Sequence, residues 1–238
     1  MSNVEVISFP DERALAEAAA EQWLEQLRTR SPPRATPYCV ALAGGRIAKH
    51  FFEAVARLFP PDIGALGSVH FFWSDERCVP PDDPESNFDM ARDLLLAPLR
   101  IPEEQIHRVR AEEPSALAAA RAEAELRRIA PSQSGGQPVL DLIFLGMGED
   151  GHVASLFPGE SEAAMASKAV YRPVTAVKPP PQRITMGYST IAAARRTWVL
   201  ASGAGKEAAL RESLRPGDHT PLARILRLRS QTRIFTNI

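Results

Sequence analysis

Short apolar runs alternate along the chain with longer segments whose apolar residues recur every three to four positions. The runs Tyr38–Leu42, Val69–Trp73 and 139–145 are almost wholly apolar, and glycine or charged residues follow each of them closely. Runs of this kind predict strands that are covered on both faces, as the strands of a parallel sheet are. Shorter runs at 184–186 and 198–201 predict two further strands.

Helices are predicted between these strands. In residues 11–28, Leu15, Ala19 and Trp23 recur every four positions, and Asp11 is placed to cap the helix N-terminus. Further helices are predicted at 47–58, 87–96, 115–129 and 205–214. The residues 131–138 are rich in Ser, Gly and Pro and predict a loop. The alternation predicts an α/β fold, Rossmann-like, with a largely parallel sheet and helices on both faces, and we expect residues 1–238 to form a single domain.

The composition excludes several classes of protein. Of the 238 residues, 45% are hydrophobic and 24% are charged, which is typical of a globular domain. The 28 Lys and Arg residues are balanced by 29 Asp and Glu residues, so we expect no nucleic-acid partner. No apolar run approaches the roughly 20 residues that span a bilayer, and residues 1–11 lack a basic flank before an apolar core. We therefore expect no membrane association and a cytoplasmic location.

Candidate chemistry lies where the predicted strands end, because ligands bind beyond the carboxyl ends of the strands in an open parallel sheet. Gly44, Gly45 and Arg46 follow one strand and open a helix, which suits a phosphate but also fits an ordinary tight turn. Asp75 and Arg77 follow the next strand. An acid beside an arginine can orient a catalytic group and hold an anion, or form a surface ion pair.

The densest group of candidate residues follows the strand at 139–145. Here Gly148, Asp150 and Gly151 lead into His152. Histidine has an ordinary pKa of about 6.5, which suits proton transfer near neutrality. A single histidine is more often structural than catalytic, but the glycine-built loop and the adjacent acid favour a general base at this position.

A stiff basic segment precedes the strand at 184–186. Lys178 and Arg183 flank three prolines and a glutamine. Polyproline geometry can hold both cations toward an anion, but the segment also fits a surface linker, and spacing alone does not decide between the two.

Taken together, these residues resemble the 6-phosphogluconolactonase family. The resemblance runs from residue 42 to residue 206, and its most specific part is the Asp-Gly-His segment with its Ser-Leu-Phe-Pro-Gly continuation. The matching motifs are Gly44-Gly45, Asp75-Glu76-Arg77, Ser86-Asn87, the run from Gly148 through His152 to Gly159, Lys178-Pro179-Pro180, Arg183-Ile184-Thr185, and Gly203 with Lys206.

The resemblance implies hydrolysis of a small phosphorylated sugar lactone, 6-phospho-D-glucono-1,5-lactone, to 6-phosphogluconate. We expect no metal and no cofactor. His152 is expected to activate the attacking water, and Asp75 to orient His152 or that water. Backbone N–H groups of the glycine loops are expected to stabilise the oxyanion. The residues expected to hold the substrate or to shape the site are Gly44, Gly45, Arg46, Arg77, Lys178, Arg183, Gly148, Asp150 and Gly151.

Two alternatives remain open. Sugar-phosphate isomerases and deaminases of the same superfamily share the Asp-Gly-His core, but they typically have tyrosine at the position of Arg77 and Phe-Asn-Glu-Pro at residues 155–158. The other alternative is a non-catalytic regulator that binds a sugar phosphate. It is suggested by the glycine loop, because the family usually continues with Ser-Thr-Pro where this chain has Arg46-Ile47-Ala48. Either the charge of Arg46 replaces those hydroxyls, or the pocket accepts a different substrate.

Overall fold

A computed structural model describes residues 3–29, 36–59, 66–130 and 133–238. Its strands are β1 (Asn3–Ser8), β2 (Tyr38–Leu42), β3 (Val69–Trp73), β4 (Asp75–Arg77), β5 (Gln133–Ser134), β6 (Gln137–Pro138), β7 (Leu142–Gly146), β8 (Tyr171–Thr175), β9 (Gln182–Met186), β10 (Thr197–Ala201) and β11 (Gln231–Thr236). Its helices are α1 (Glu12–Arg28), α2 (Arg46–Leu58), α3 (Asn87–Ala91), α4 (Ser115–Ile129), α5 (Glu162–Met165), α6 (Tyr188–Ala193), α7 (Glu207–Ser213) and α8 (Pro221–Leu228).

The main sheet has six strands in the order β1-β11-β10-β7-β2-β3, and every neighbouring pair is parallel. Val40 of β2 lies opposite Phe71 of β3 on one side and Leu142 of β7 on the other. All residues of β2 and β10 are buried, because helices cover both faces of the sheet. The predicted α/β fold with a largely parallel sheet is confirmed.

Aromatic side chains fill the space between α1, α2 and the main sheet. The ring of Trp23 packs edge-on against Phe71 and Phe144, with centroids 6.4 and 5.6 Å away, and it also meets Phe51 at 5.9 Å. Trp198 of β10 also packs at nearly a right angle to the ring of Phe144, with centroids 5.7 Å apart. Edge-to-face contacts at these distances are favourable beyond the apolar area they bury. This cluster holds the two helices against the centre of the sheet.

The predicted helices are confirmed, and one of them changes character along its length. Asp11 caps α1 by accepting a hydrogen bond from the N–H of Ala14 at 2.8 Å, and α4 begins and ends where the sequence predicts. The predicted helix at 87–96 is α-helical only over Asn87–Ala91 and continues as a π-helical turn over Arg92–Leu96. None of the helices within the described ranges is long and apolar enough to cross a membrane.

Several predictions of strands need correction. The segment 184–186 lies in β9, which belongs to a separate antiparallel sheet in the order β4-β9-β8 and not to the parallel sheet. The described part of the predicted loop at 131–138 forms a hairpin of β5 and β6 that turns at residues 135–136, while residues 131–132 lie outside the described residues. Strands β1, β4, β8 and β11 have no counterpart among the predicted strands.

Four neighbouring strands of the main sheet, β10, β7, β2 and β3, end at the same edge because they are parallel. β4 leaves this edge directly after β3 and pairs with β9, so the small sheet stands beside it. The loops that follow these four strands contain most of the residues singled out from the sequence, which brings them together in space.

Candidate active site

A cleft of about 410 Å³ opens at this edge of the sheet. It is lined by Ala43, Gly44, Gly45, Arg46, Ile47, Asp75, Arg77, Asn87, Gly146, Met147, Gly148, Glu149, His152, Ala154, Ser202, Ala204 and Lys206. The loops after β2, β3, β7 and β10 each contribute to this lining. Most of the predicted site residues therefore meet in one cleft.

His152 is held by the acid two residues before it. Its Nδ1 lies 2.6 Å from Oδ1 of Asp150, and its backbone N–H donates to the same oxygen at 3.1 Å. Burial acts to raise the pKa of Asp150, but the hydrogen bonds from His152 outweigh it and hold that pKa below its ordinary value. A carboxylate only accepts hydrogen bonds, so Nδ1 of the neutral ring carries the proton and Nε2 keeps a lone pair. The geometry thus suits a base.

Gly148 makes room for the imidazole of His152. A Cβ at position 148 would lie 2.0 Å from Nδ1 of His152, which no side chain tolerates. The N–H of Gly148 donates to the carbonyl of His152 at 2.9 Å, and the N–H of Gly151 donates to the carbonyl of Gly148 at 3.1 Å. These two N–H groups are engaged within the loop, and stabilisation of an oxyanion by the backbone of the glycine loops stays a prediction. Gly148, Asp150 and Gly151 shape the loop.

Asp75 lines the cleft but has different partners from those expected. Its Oδ2 accepts a hydrogen bond from the hydroxyl of Ser155 at 2.6 Å. The side-chain amide of Asn87 donates to the backbone carbonyl of Asp75 at 2.9 Å and lies 3.5 Å from Oδ1. The acid that contacts His152 is Asp150. The part of the prediction in which Asp75 orients the water stays a prediction.

Glu76 fixes the segment that carries Asn87. Its buried carboxylate accepts hydrogen bonds from the backbone N–H groups of Arg77, Asn87 and Phe88 at 2.7 to 2.8 Å, and from the hydroxyl of Ser86 at 3.2 Å. Burial raises the pKa of Glu76 to about 7, although the backbone hydrogen bonds act in the opposite direction. This carboxylate ties the start of α3 to β4 and so sets the wall of the cleft.

Close packing also explains the first glycine of the loop after β2. A Cβ on Gly44 would lie 1.8 Å from Oδ1 of Asn87, so a side chain at position 44 would displace the Asn87 amide. The glycine therefore allows α3 to approach the end of β2.

Cations gather where α2 begins. Gly45 is the N-cap residue of α2, and among the described residues no side chain caps this helix. The Nε of Arg46 lies 3.5 Å from Oε2 of Glu12, and 65% of the Arg46 side chain is exposed. Burial lowers the pKa of Lys206, and the nearby charge of Arg46 acts in the same direction. Two cations beside a helix N-terminus suit a phosphate.

Arg77 lines the cleft next to Asp75. Its Nη1 donates to the backbone carbonyl of Glu85 at 2.9 Å and lies 3.5 Å from Oε2 of the same residue. These contacts anchor the guanidinium to the segment that contains Glu85.

Lys178 and Arg183 lie outside the lining of the cleft. Lys178 is 81% exposed, and its Nζ lies 3.9 Å from Oε2 of Glu149. Arg183 is buried, where its Nε donates to the carbonyl of Pro180 at 3.0 Å and its Nη2 to the carbonyl of Lys178 at 3.3 Å. Arg183 thus braces the loop that carries Lys178. Phosphate binding by either residue stays a prediction.

Three residues of the site had no role assigned from the sequence. In the sequence, Asn87, Ser155 and Lys206 stand only as parts of the matching motifs. For Lys206 the sequence contains a signal, because a turn with two glycines follows the predicted strand at 198–201 and leads into a predicted helix. Among the residues that the structure describes, no group of three or more His, Cys, Asp or Glu side chains is placed to hold a metal ion.

Comparison with known proteins places the chain in a family. A family model described as glucosamine-6-phosphate isomerases/6-phosphogluconolactonase matches residues 10–235. The chain therefore belongs to the glucosamine-6-phosphate isomerase/6-phosphogluconolactonase family.

The relatives within this family point to its lactonase members. A 6-phosphogluconolactonase of Nostoc sp. is 36% identical over 90% of this chain and 85% of its own length. One of Treponema pallidum is 40% identical over 65% of this chain, and the match spans 61% of that relative, which is less than two thirds of its length. The solved structure of 6-phosphogluconolactonase from Trypanosoma brucei, at 29% identity, covers 99% of this chain and 97% of that one with a TM-score of 0.86. The resemblance to 6-phosphogluconolactonases is confirmed.

Proposed function

We propose that this chain hydrolyses 6-phospho-D-glucono-1,5-lactone to 6-phospho-D-gluconate, a step of the oxidative pentose phosphate pathway. The observation that carries the proposal is a single cleft lined by His152, whose ring is hydrogen-bonded to Asp150, and by the cations Arg46 and Lys206. The substrate has a matching pair of features, an ester carbonyl and a phosphate. The names of the Nostoc and Treponema relatives support the same reaction.

The phosphate is assigned to the start of α2. The N–H groups of the first turn, the guanidinium of Arg46 and the ammonium of Lys206 supply donors and positive charge there. In this assignment, the charge of Arg46 replaces the Ser and Thr hydroxyls that the family usually has at this point of the glycine loop. A phosphate anchored at this end leaves the lactone ring in the part of the cleft between α2 and His152.

The reaction needs one base and one site for negative charge. Nε2 of His152 takes a proton from a water molecule while the water oxygen attacks C1 of the lactone, which forms a tetrahedral oxyanion. Asp150 stabilises the resulting imidazolium through the hydrogen bond at Nδ1. The C1–O bond of the ring then breaks, and the ring oxygen leaves as the C5 hydroxyl after it takes the proton from His152. The products are the carboxylic acid, which ionises at neutral pH, and the free imidazole.

Asp75 and Arg77 are assigned to the substrate near C1. The carboxylate of Asp75 accepts a hydrogen bond from the attacking water or from a sugar hydroxyl, and Arg77 supplies positive charge for the oxyanion. Ser155 is fully buried beneath Asp75, so its hydroxyl has no access to an ester carbonyl. This burial supports direct attack by water over a serine nucleophile.

The test is turnover by the purified protein. Proton release from 6-phosphogluconolactone, corrected for spontaneous hydrolysis, is measured beside the turnover of glucosamine 6-phosphate. We expect hydrolysis of the lactone and no conversion of the amino sugar. Conversion of the amino sugar alone would identify the isomerase or deaminase alternative. Binding of 6-phosphogluconate without any turnover would identify the regulator.

A further inference from the structure

The hydroxyl of Ser155 reaches into the wall of the cleft from behind. Ser155 is fully buried, and its Oγ donates to Oδ2 of Asp75 at 2.6 Å, a short distance for a hydrogen bond to a carboxylate. We infer that Ser155 is a positioning residue for the lactonase reaction, because its hydroxyl fixes the orientation of the Asp75 carboxylate. The inference rests on the proposed function.

Ser155 is itself held firmly in place. Its N–H donates to the hydroxyl of Thr185 at 3.2 Å, and that hydroxyl donates to the carbonyl of Met186 at 3.1 Å. Thr185 lies opposite Asp75 in the pairing of β9 with β4. Ser155 therefore joins the two strands from the side, and its position follows the small sheet that carries Asp75.

The same short loop supplies both His152 and Ser155. Between them, Ala154 has a φ of +50°, a left-handed conformation that is unfavourable for alanine. The chain reverses here, so that His152 faces the cleft while Ser155 points beneath it to Asp75. His152, the proposed base, is thereby linked to Asp75, the proposed acceptor for water, through Ser155, which lies three positions after His152 in the same loop.

The two oxygens of the Asp75 carboxylate have unequal surroundings. Oδ2 receives the hydroxyl of Ser155, whereas Oδ1 has, among the described residues, only the distant amide of Asn87 at 3.5 Å. Oδ1 thus keeps acceptor capacity for the attacking water or a substrate hydroxyl. Loss of the Ser155 hydroxyl frees the carboxylate to rotate, and small displacements of a reacting or orienting group are costly to catalysis.

The experiment compares four variants with a matched control. Ser155→Ala removes the hydroxyl, and Ser155→Cys fills the same space with a much weaker donor. Ser74→Ala is the control, since Ser74 is also fully buried, neighbours Asp75 in the chain, and has an Oγ without a hydrogen-bond partner among the described residues. Asp75→Ala, alone and combined with Ser155→Ala, completes a double-mutant cycle.

We expect kcat to fall about 10-fold in Ser155→Ala and in Ser155→Cys, the scale of one hydrogen bond to a charged group. The Kd of 6-phosphogluconate should stay within about 2-fold, because the phosphate lies at the other end of the cleft. In the Asp75→Ala background, Ser155→Ala should cost less than about 2-fold further. Melting temperatures establish that each variant is folded.

Distinct results overturn the inference. Equal losses in Ser155→Ala and Ser74→Ala, a parallel loss of product affinity, or full additivity with Asp75→Ala would show general disruption in place of positioning. An active wild type with unchanged Ser155 variants would refute the role of Ser155 alone. A wild type without lactone hydrolysis would contradict the proposed function and this inference together.

Discussion

Arg46 offers a quantitative test of how the phosphate is held. The perturbation is Arg46→Ala, which removes a guanidinium at the start of α2 and leaves the helix N–H groups and Lys206 in place. A hydrogen bond between charged groups contributes about 1.5 to 3 kcal/mol. The lower end applies here, because the Arg46 side chain is 65% exposed and already has Glu12 at 3.5 Å. A loss of about 1.5 kcal/mol corresponds to roughly a 10-fold fall in kcat/KM.

The assay compares the phosphorylated lactone with unphosphorylated glucono-1,5-lactone, each corrected for spontaneous hydrolysis. Arg57→Ala is the matched control, because Arg57 lies in the last turn of α2, is 57% exposed, and pairs with Glu17 of α1 much as Arg46 pairs with Glu12. We expect the 10-fold loss only for Arg46→Ala and only on the phosphorylated substrate. Equal losses on both lactones, or no loss on either, would refute the reasoning and assign Arg46 to the solvent-exposed surface.

Turnover should survive exhaustive chelation, because a water activated by His152 needs no Lewis acid; activity that EDTA abolishes and zinc or magnesium restores would contradict this. Burial lowers the pKa of His70 and His107, so the unfolded chain takes up protons first and stability is lost as pH falls below about 6.5. Urea unfolding at pH 7.5 and 5.0 should show a smaller loss of unfolding free energy at the lower pH in His70→Asn than in the wild type. The raised pKa of Glu76 acts in the opposite direction, but Glu76 is common to both proteins. An equal loss in the two proteins would refute this role of the histidines. Calorimetry should show one unfolding transition, because the hydroxyl of Tyr171 donates to the carbonyl of Trp73 at 2.8 Å and ties the small sheet to the main one; two separated transitions would indicate two domains.

The sequence predicts the buried elements well and the edges poorly. Tyr38–Leu42 and Val69–Trp73 are found at their predicted bounds, since burial on both faces requires continuous apolar residues. Asn3–Ser8 is an edge strand with mostly exposed side chains, so its pattern carries little apolar signal. Tyr171–Thr175 contains Pro173, which argues against a strand but is tolerated at the edge of the small sheet.

In the site too, contacts between neighbours in the sequence are predictable, whereas contacts between residues far apart in the sequence are not. The loop that delivers His152 is encoded by neighbouring residues, so both the loop and its acid Asp150 are recognisable in the sequence. The Asp75 carboxylate is hydrogen-bonded to Ser155, 80 residues away, and the two meet through Thr185, which pairs with Asp75 and accepts from the N–H of Ser155. Arg183 is buried, and its guanidinium donates to the carbonyls of Pro180 and Lys178, contacts that charge alone does not predict. Anion binding by Arg183 stays a prediction.

The measurement that tests the central claim most directly is the rate of lactone hydrolysis by His152→Ala, with the exposed His219→Ala as control. General-base catalysis typically contributes 10²- to 10⁴-fold, so kcat should fall by about that factor while the Kd of 6-phosphogluconate stays nearly unchanged. His219→Ala should match the wild type. A His152→Ala variant that keeps near wild-type kcat after correction for spontaneous hydrolysis would contradict the assignment of His152 as the base.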